Sequence, residues 1–254
     1  MRSLFRSRAA TPVSTVEPVP TVFPRIQGAD IAAVFAGKRM AGDFYDSIRV
    51  SPERVLFGLL DLAGRREENR SVLITAQEIF RNSGAELFSR SDINESNAMT
   101  ELSLKINRGL IESCKGVRSC PAFIGCYHEI FGTLCYTNAG HTPGLLRDSR
   151  GIAEISSTGL PLGLFSHATG DAPTIGLEKG AALVLVSRGV IECDGQHGKS
   201  TEEFGLNRVK PFLQTAPSTT ANELCTSILN SVSEFTAGCP MHDDRTALAL
   251  IRQS

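Results

Sequence analysis

The stretch RVLFGLLDLAG, residues 54–64, is a near-continuous apolar run that ends on an acid, Asp61. A half-exposed strand alternates polar and apolar residues; a strand covered on both faces need not. The run therefore predicts a strand deep in a layered fold, with Asp61 carried to its end. A second stretch, ALVLVSRGVIECDG at 182–195, begins in the same way. Its apolar part, Ala182–Val186, reads as another buried strand, yet it delivers Ser187, Arg188 and Gly189 where the first delivers an acid.

Around these two strands the pattern changes period several times. ADIAAVFAG (29–37) and GDFYDSIRV (42–50) read as the first two strands. Residues 68–88 favour helix. In 92–113, Met99, Leu102, Ile106 and Leu110 recur three or four apart and line one helical face, with Asp92 or Asn94 as its cap. AFIGCYHEI (122–130) and TLCYTNAGH (133–141) form a hairpin about Phe131-Gly132, and 143–157 forms another that turns at Asp148–Gly151. Two short helices follow the strand at 181–187. Ser218 is placed to cap the second, whose Leu224, Ile228, Val232 and Phe235 make an apolar face. TALALIRQS (246–254) closes the chain as a strand. Hairpins with two long helices between them, and no strict βαβ repeat, predict an α+β fold with helices outside largely antiparallel sheets. Residues 1–25, with Pro12, Pro18, Pro20 and Pro24, read as a disordered N-terminal tail, and 26–254 as a single domain.

Composition narrows the function by exclusion. The 254 residues carry 26 Lys and Arg against 27 Asp and Glu, a net charge of −1. That balance gives no electrostatic footprint for nucleic acid or an anionic membrane surface. No apolar run approaches the roughly 20 residues that span a bilayer. Nor does the N-terminus hold the apolar core of a secretory signal. The seven cysteines are odd in number and form no CxxC pair, which suits buried free thiols in a reducing cytoplasm. The tail is too short to fold into a sensor module, so regulation is expected from a separate partner, oligomerisation or expression level.

The chemistry is in the acids. Asp43 and Asp46 lie in AGDFYD at a strand start, Asp61 ends a buried strand, and Asp243 and Asp244 precede the last strand in MHDDRTALAL. Singly, each suits a turn. Gathered in one cleft they would repel one another and call for cations, and an all-oxygen set suits Mg²⁺ or Mn²⁺.

Taken in order, AGDFYD, LLDLAG, YTNAGHTP, GLPLG, LVSRGVIE and DDRTALAL resemble the stage II sporulation protein E family. These are PPM-type, metal-dependent protein serine/threonine phosphatases, and the resemblance covers residues 25 to 252. It implies an αββα sandwich with metals in a cleft at one edge. It further implies Asp43 as the first metal ligand and Asp61 as the acid bridging two ions. The Leu62 carbonyl would be the backbone ligand and Asp244 the last ligand. Asn138, Gly140 and His141 would support the cleft as a turn, and Gly159 and Gly163 would serve turns. The implied reaction is hydrolysis of phosphoserine or phosphothreonine by a water held between two Mn²⁺ or Mg²⁺ ions, with no nucleophilic side chain. The implied substrate is a small phosphorylated regulator of the anti-sigma-factor-antagonist type. Oligomeric state, a homodimer included, stays open.

Three positions depart from the family pattern. Arg188 stands directly before Gly189, where the family has a metal-binding Asp. Arginine keeps its charge, and two unit charges ~4 Å apart at an effective dielectric of ~20 interact by about 4 kcal/mol. Glu192 and Asp194 lie past the turn, and nothing in their spacing brings them back. Arg66 takes the place of a second glycine after Asp61, in a charged helix start. Ala41 replaces the first glycine of the opening motif. Two readings follow: a phosphatase with one well-held ion and an altered second site, or a degenerate phosphatase fold that binds or scaffolds. In the second, Arg188 fills the vacant metal position and neutralises Asp61 and Asp244.

Overall fold

The computed structural model describes residues 18–37, 42–62, 64, 66–113, 118–167, 170–195, 202–214, 216, 219–237, 239 and 241–253, with side chains omitted at 66–68. Ala41, Cys114, Ser218 and the side chain of Arg66 fall outside that description.

The period-2 pattern of the core strands builds four layers. One sheet has the order β1 (Ala29–Ala36), β10 (Arg245–Arg252), β9 (Ala182–Val186), β6 (Gly144–Asp148), β7 (Gly151–Ile155). The other has the order β2 (Gly42–Ser51), β3 (Arg54–Leu62), β4 (Ala122–His128), β5 (Thr133–Ala139), β8 (Thr174–Gly176). Neighbouring strands pair antiparallel throughout. All nine residues of β3 are buried, because it feeds two cores. Val55, Phe57 and Leu59 point between the sheets toward Leu183, Leu185, Leu248 and Leu250. Leu56, Leu60 and Leu62 point outward to α1 (Arg66–Phe88) and α2 (Glu95–Ser113). On the far side, Val184, Val186, Ala247 and Ala249 pack against α4 (Gly205–Leu213) and α5 (Ala221–Phe235). The result is the αββα sandwich, α+β in class.

Helix boundaries follow their caps. Asn94 rather than Asp92 starts α2, accepting the Asn97 N–H on Oδ1 at 3.0 Å. Thr220 starts α5 with a reciprocal capping box to Glu223. A short helix, α3 (Arg188–Ile191), follows β9 directly; the apolar pattern gave no sign of it. No helix among the described residues is long and apolar enough to cross a membrane.

Residues 18–24 lie extended across β2 and α1. The Val19 N–H donates to Gln77 Oε1 at 2.7 Å, and Gln77 Nε2 donates to the Val19 carbonyl at 2.8 Å. Thr21 Oγ1 donates to the Tyr45 carbonyl and to Asp46 Oδ1, at 2.8 and 3.1 Å. Asp46 is buried and takes the fork of Arg81, at 2.6 and 2.9 Å, and Gln77 Nε2 at 3.0 Å. Among the acids of AGDFYD, Asp46 therefore belongs to this strap and not to a cleft with Asp43.

Candidate functional site

Register brings the first two acids together. In the β2–β3 pairing Asp43 stands directly opposite Asp61. Like charges so placed oppose each other. The structure resolves that conflict from both sides. Asp43 Oδ2 accepts a 2.7 Å hydrogen bond from Thr246 Oγ1 on β10. Burial above all, and next the neighbouring Asp61, push the Asp43 carboxyl well above the ordinary carboxylate range; hydrogen bonds from Ser187 and Thr246 oppose that rise.

Asp61 instead acquires a cation. Arg188 begins α3, and its guanidinium reaches back across the sandwich to Asp61. Nε donates to Oδ2 at 2.9 Å, Nη2 to Oδ1 at 2.9 Å, and the Arg188 backbone N–H to Oδ2 at 3.3 Å. This bidentate arrangement is the strong form of arginine–carboxylate pairing. It is also asymmetric: the Asp61 side chain is 4% exposed and that of Arg188 36%. Arg188 is held so close by its neighbours. Gly189 has no room for a side chain, since a Cβ there would strike the Asp244 carbonyl. Ser187 is fully buried, donates its N–H to the Thr246 carbonyl at 3.0 Å and accepts the Thr246 N–H on Oγ at 3.0 Å.

The remaining expected ligands sit around this pair. The buried Asp244 presses its carboxylate on the end of β1, where a Cβ on Gly37 would lie 2.6 Å from Oδ1. Asp243 accepts the Asp244 N–H at 2.9 Å; burial first, then Asp61, raises its pKa. The Leu62 carbonyl accepts Asn69 Nδ2 at 3.2 Å, and Asn69 Oδ1 in turn accepts from Arg118 Nη1. A side chain on Gly42 would collide with that carbonyl.

Beneath the cleft, His141 is buried. Its backbone N–H donates to Asn138 Oδ1 at 2.8 Å, and the ring Nδ1 lies 3.1 Å from the Thr142 carbonyl. Nε2 has no hydrogen-bond partner among the described residues. Burial first lowers its pKa; Asp61 opposes that shift and Arg188 adds to it. A neutral imidazole is a support here, and Asn138 anchors the turn from below, also accepting the Thr158 N–H at 2.8 Å.

An ion pair of the family kind does not fit this arrangement. Both oxygens of Asp61, the acid expected to bridge, already accept from a guanidinium. Among the described residues, no group of three or more His, Cys, Asp or Glu side chains is placed to hold a metal ion. Glu192 and Asp194 do not take the place of the missing acid beside Asp61. They line an adjoining cleft of about 370 Å³ with Gly189, Cys193, Cys239, His242 and Asp243. Asn69, Arg118 and Thr246 were not singled out in the sequence. Asn69 is hidden in the charged run RREENR, and Thr246 in an apolar strand.

The stage II sporulation protein E (SpoIIE) family model matches residues 52–253. Protein IcfG of Synechocystis sp. is 23% identical over 92% of this chain and 39% of its own length. The phosphoserine phosphatase RsbU of Bacillus subtilis is 24% identical over 92% of this chain and 66% of its own length. The chain thus spans from about two fifths to just under two thirds of these relatives. Among solved structures, the RsbU and RsbW domains of Rv1364c from Mycobacterium tuberculosis superpose with a TM-score of 0.73. That match has 23% identity and covers 91% of this chain and 62% of that one. RsbX in complex with magnesium superposes with a TM-score of 0.62 at 14% identity, covering 90% and 97%. The family model spanning most of the sequence, on a sandwich of this topology, establishes that the chain belongs to the stage II sporulation protein E family.

Proposed function

We propose that this chain is a phosphatase-fold binding module. It recognises a phosphorylated regulatory protein of the anti-sigma-factor-antagonist type in the cytoplasm and leaves the phosphoryl group in place. The partner class rests on family membership and on the likeness to RsbU. The loss of turnover rests on one observation, the fork of Arg188 on both oxygens of Asp61. A buried carboxylate satisfied in this way has no need of an ion, and a divalent ion entering beside a guanidinium meets repulsion of several kcal/mol by the same arithmetic as above.

One observation favours the working phosphatase instead: the Arg188 side chain is 36% exposed and has a route to solvent. In that reading the guanidinium swings out, and Asp43, Asp61, the Leu62 carbonyl and Asp244 take up Mn²⁺ or Mg²⁺. Hydrolysis of a generic aryl phosphate, assayed with Mn²⁺ and with Mg²⁺, decides between them. The binding module gives no hydrolysis above an Asp61→Asn control, yet retains the phosphoserine form of such a regulator in a direct binding assay. Hydrolysis that disappears on Asp61→Asn establishes the enzyme.

A further inference from the structure

Arg188 is the obvious barrier to an ion, but a second stands on the other side of Asp61. Asn69 is fully buried in the first turns of α1 and puts its amide Nδ2 on the Leu62 carbonyl, at 3.2 Å. Its Oδ1 accepts from the guanidinium of Arg118, a residue remote from Arg188 in sequence and carried by a different segment. The Arg118 side chain runs along the turn after β3, where a Cβ on Gly64 would lie 2.8 Å from Nη1. A cation on Oδ1 polarises the amide and strengthens its donation to Leu62. Gly42 packs against the same carbonyl and against Asn69 Nδ2, with no room for a side chain. The two expected ligand groups of residues 61 and 62 are thus each engaged by a donor, and each donor is an arginine or is backed by one.

We infer that the cleft is closed to divalent ions at two independent points: Arg188 on the Asp61 carboxylate, and the Arg118–Asn69 relay on the Leu62 carbonyl. This deepens the binding-module reading and rests on it. Its consequence differs from that reading, because restoring the missing acid at position 188 alone does not reopen the site. The cleft carries its own fixed cations in place of exchangeable ones.

Direct Mn²⁺ binding, followed by the loss of the free-ion electron paramagnetic resonance signal, tests the inference without reference to turnover. Four proteins are compared: the parent, Arg188→Asp, Asn69→Ala and the double variant, each first checked for a cooperative melt in chelator. The parent and both single variants are expected to leave Mn²⁺ free at about 1 mM, and the double variant to bind it at least about tenfold more tightly than either single. Arg118→Met in the Arg188→Asp background replaces the double variant if Asn69→Ala does not fold. Binding by Arg188→Asp equal to that of the double variant overturns the second point of closure. Binding by the parent overturns both points, and so does a folded double variant that binds nothing. Failure of the binding-module reading is told apart from these results, since it appears as aryl phosphate hydrolysis by the parent.

Discussion

Arg188 and Asp61 meet through two parallel N–H···O bonds of 2.9 Å, with the carboxylate sealed and the guanidinium one-third open to water. The asymmetry fixes which partner the fold can lose. Removing the cation strands a buried charge, whereas removing the acid leaves a guanidinium that solvent can reach. Arg188→Ala is expected to destabilise by about 2–3 kcal/mol, below the full cost of breaking a buried pair because Arg188 is partly solvated. Asp61→Asn is expected to cost about 1 kcal/mol. Urea unfolding of both variants and their combination gives the coupling, and equal losses in the two singles contradict the asymmetry.

The strap at residues 18–24 depends on Asp46 and Gln77, both nearly inaccessible. Asp46→Ala leaves Gln77 Nε2 short of a partner and frees Arg81 and Thr21 from their carboxylate. A loss of about 2–4 kcal/mol is expected. Limited proteolysis should then cut near Thr21 well before the sandwich unfolds, whereas cleavage unchanged from the parent removes the strap's dependence on Asp46.

Two thiols predict the alkaline limit. Burial raises Cys135 to about 11 and Cys225 to about 12, against an ordinary 9.0. Above pH 9 the unfolded chain therefore releases these protons while the folded chain keeps them. Stability present below pH 9 is lost as pH rises, by about 1.4 kcal/mol per unit per thiol, up to about 11 for Cys135 and about 12 for Cys225. Cys225→Ala should flatten the fall in denaturation midpoint between pH 9 and 11 relative to the parent. Parallel curves exclude Cys225 as a source.

Leu59 and Leu60 are sequence neighbours that serve different cores, one between the sheets and one beneath α1 and α2. Each change to Ala is expected to cost about 2–5 kcal/mol. Because they share no cavity, the double variant should lose the sum to within about 0.5 kcal/mol, a check by equilibrium unfolding. A clearly smaller total means the cores are not separate.

The layers were legible because the strands obey a two-residue rule or, at β3 and β9, violate it by being apolar throughout. The hairpins at 122–141 and 143–157 were legible from their turns, and α2 from Met99, Leu102, Ile106 and Leu110, all buried on one face. Helix α3 was not, since four residues carry no period. The cleft's acids could be named, but not what satisfies them. Thr246, Asn69 and Arg118 act through hydrogen bonds set by three-dimensional register, and in one dimension they look like a strand residue, a member of a charged run and an isolated arginine in CKGVRSC. Arg188 was legible as a wrong charge able to neutralise Asp61 and Asp244; the fork on Asp61, 127 positions away, came from the fold.

Strand β3 lies inside one sheet, between β2 and β4, with both faces covered and Asp61 near its tip. An insertion or deletion of one residue upstream of Asp61 would exchange the contents of two oily compartments and turn the acid to the wrong side of its sheet. Charges at the mouth can be exchanged one side chain at a time, but the phase of that one strand is locked.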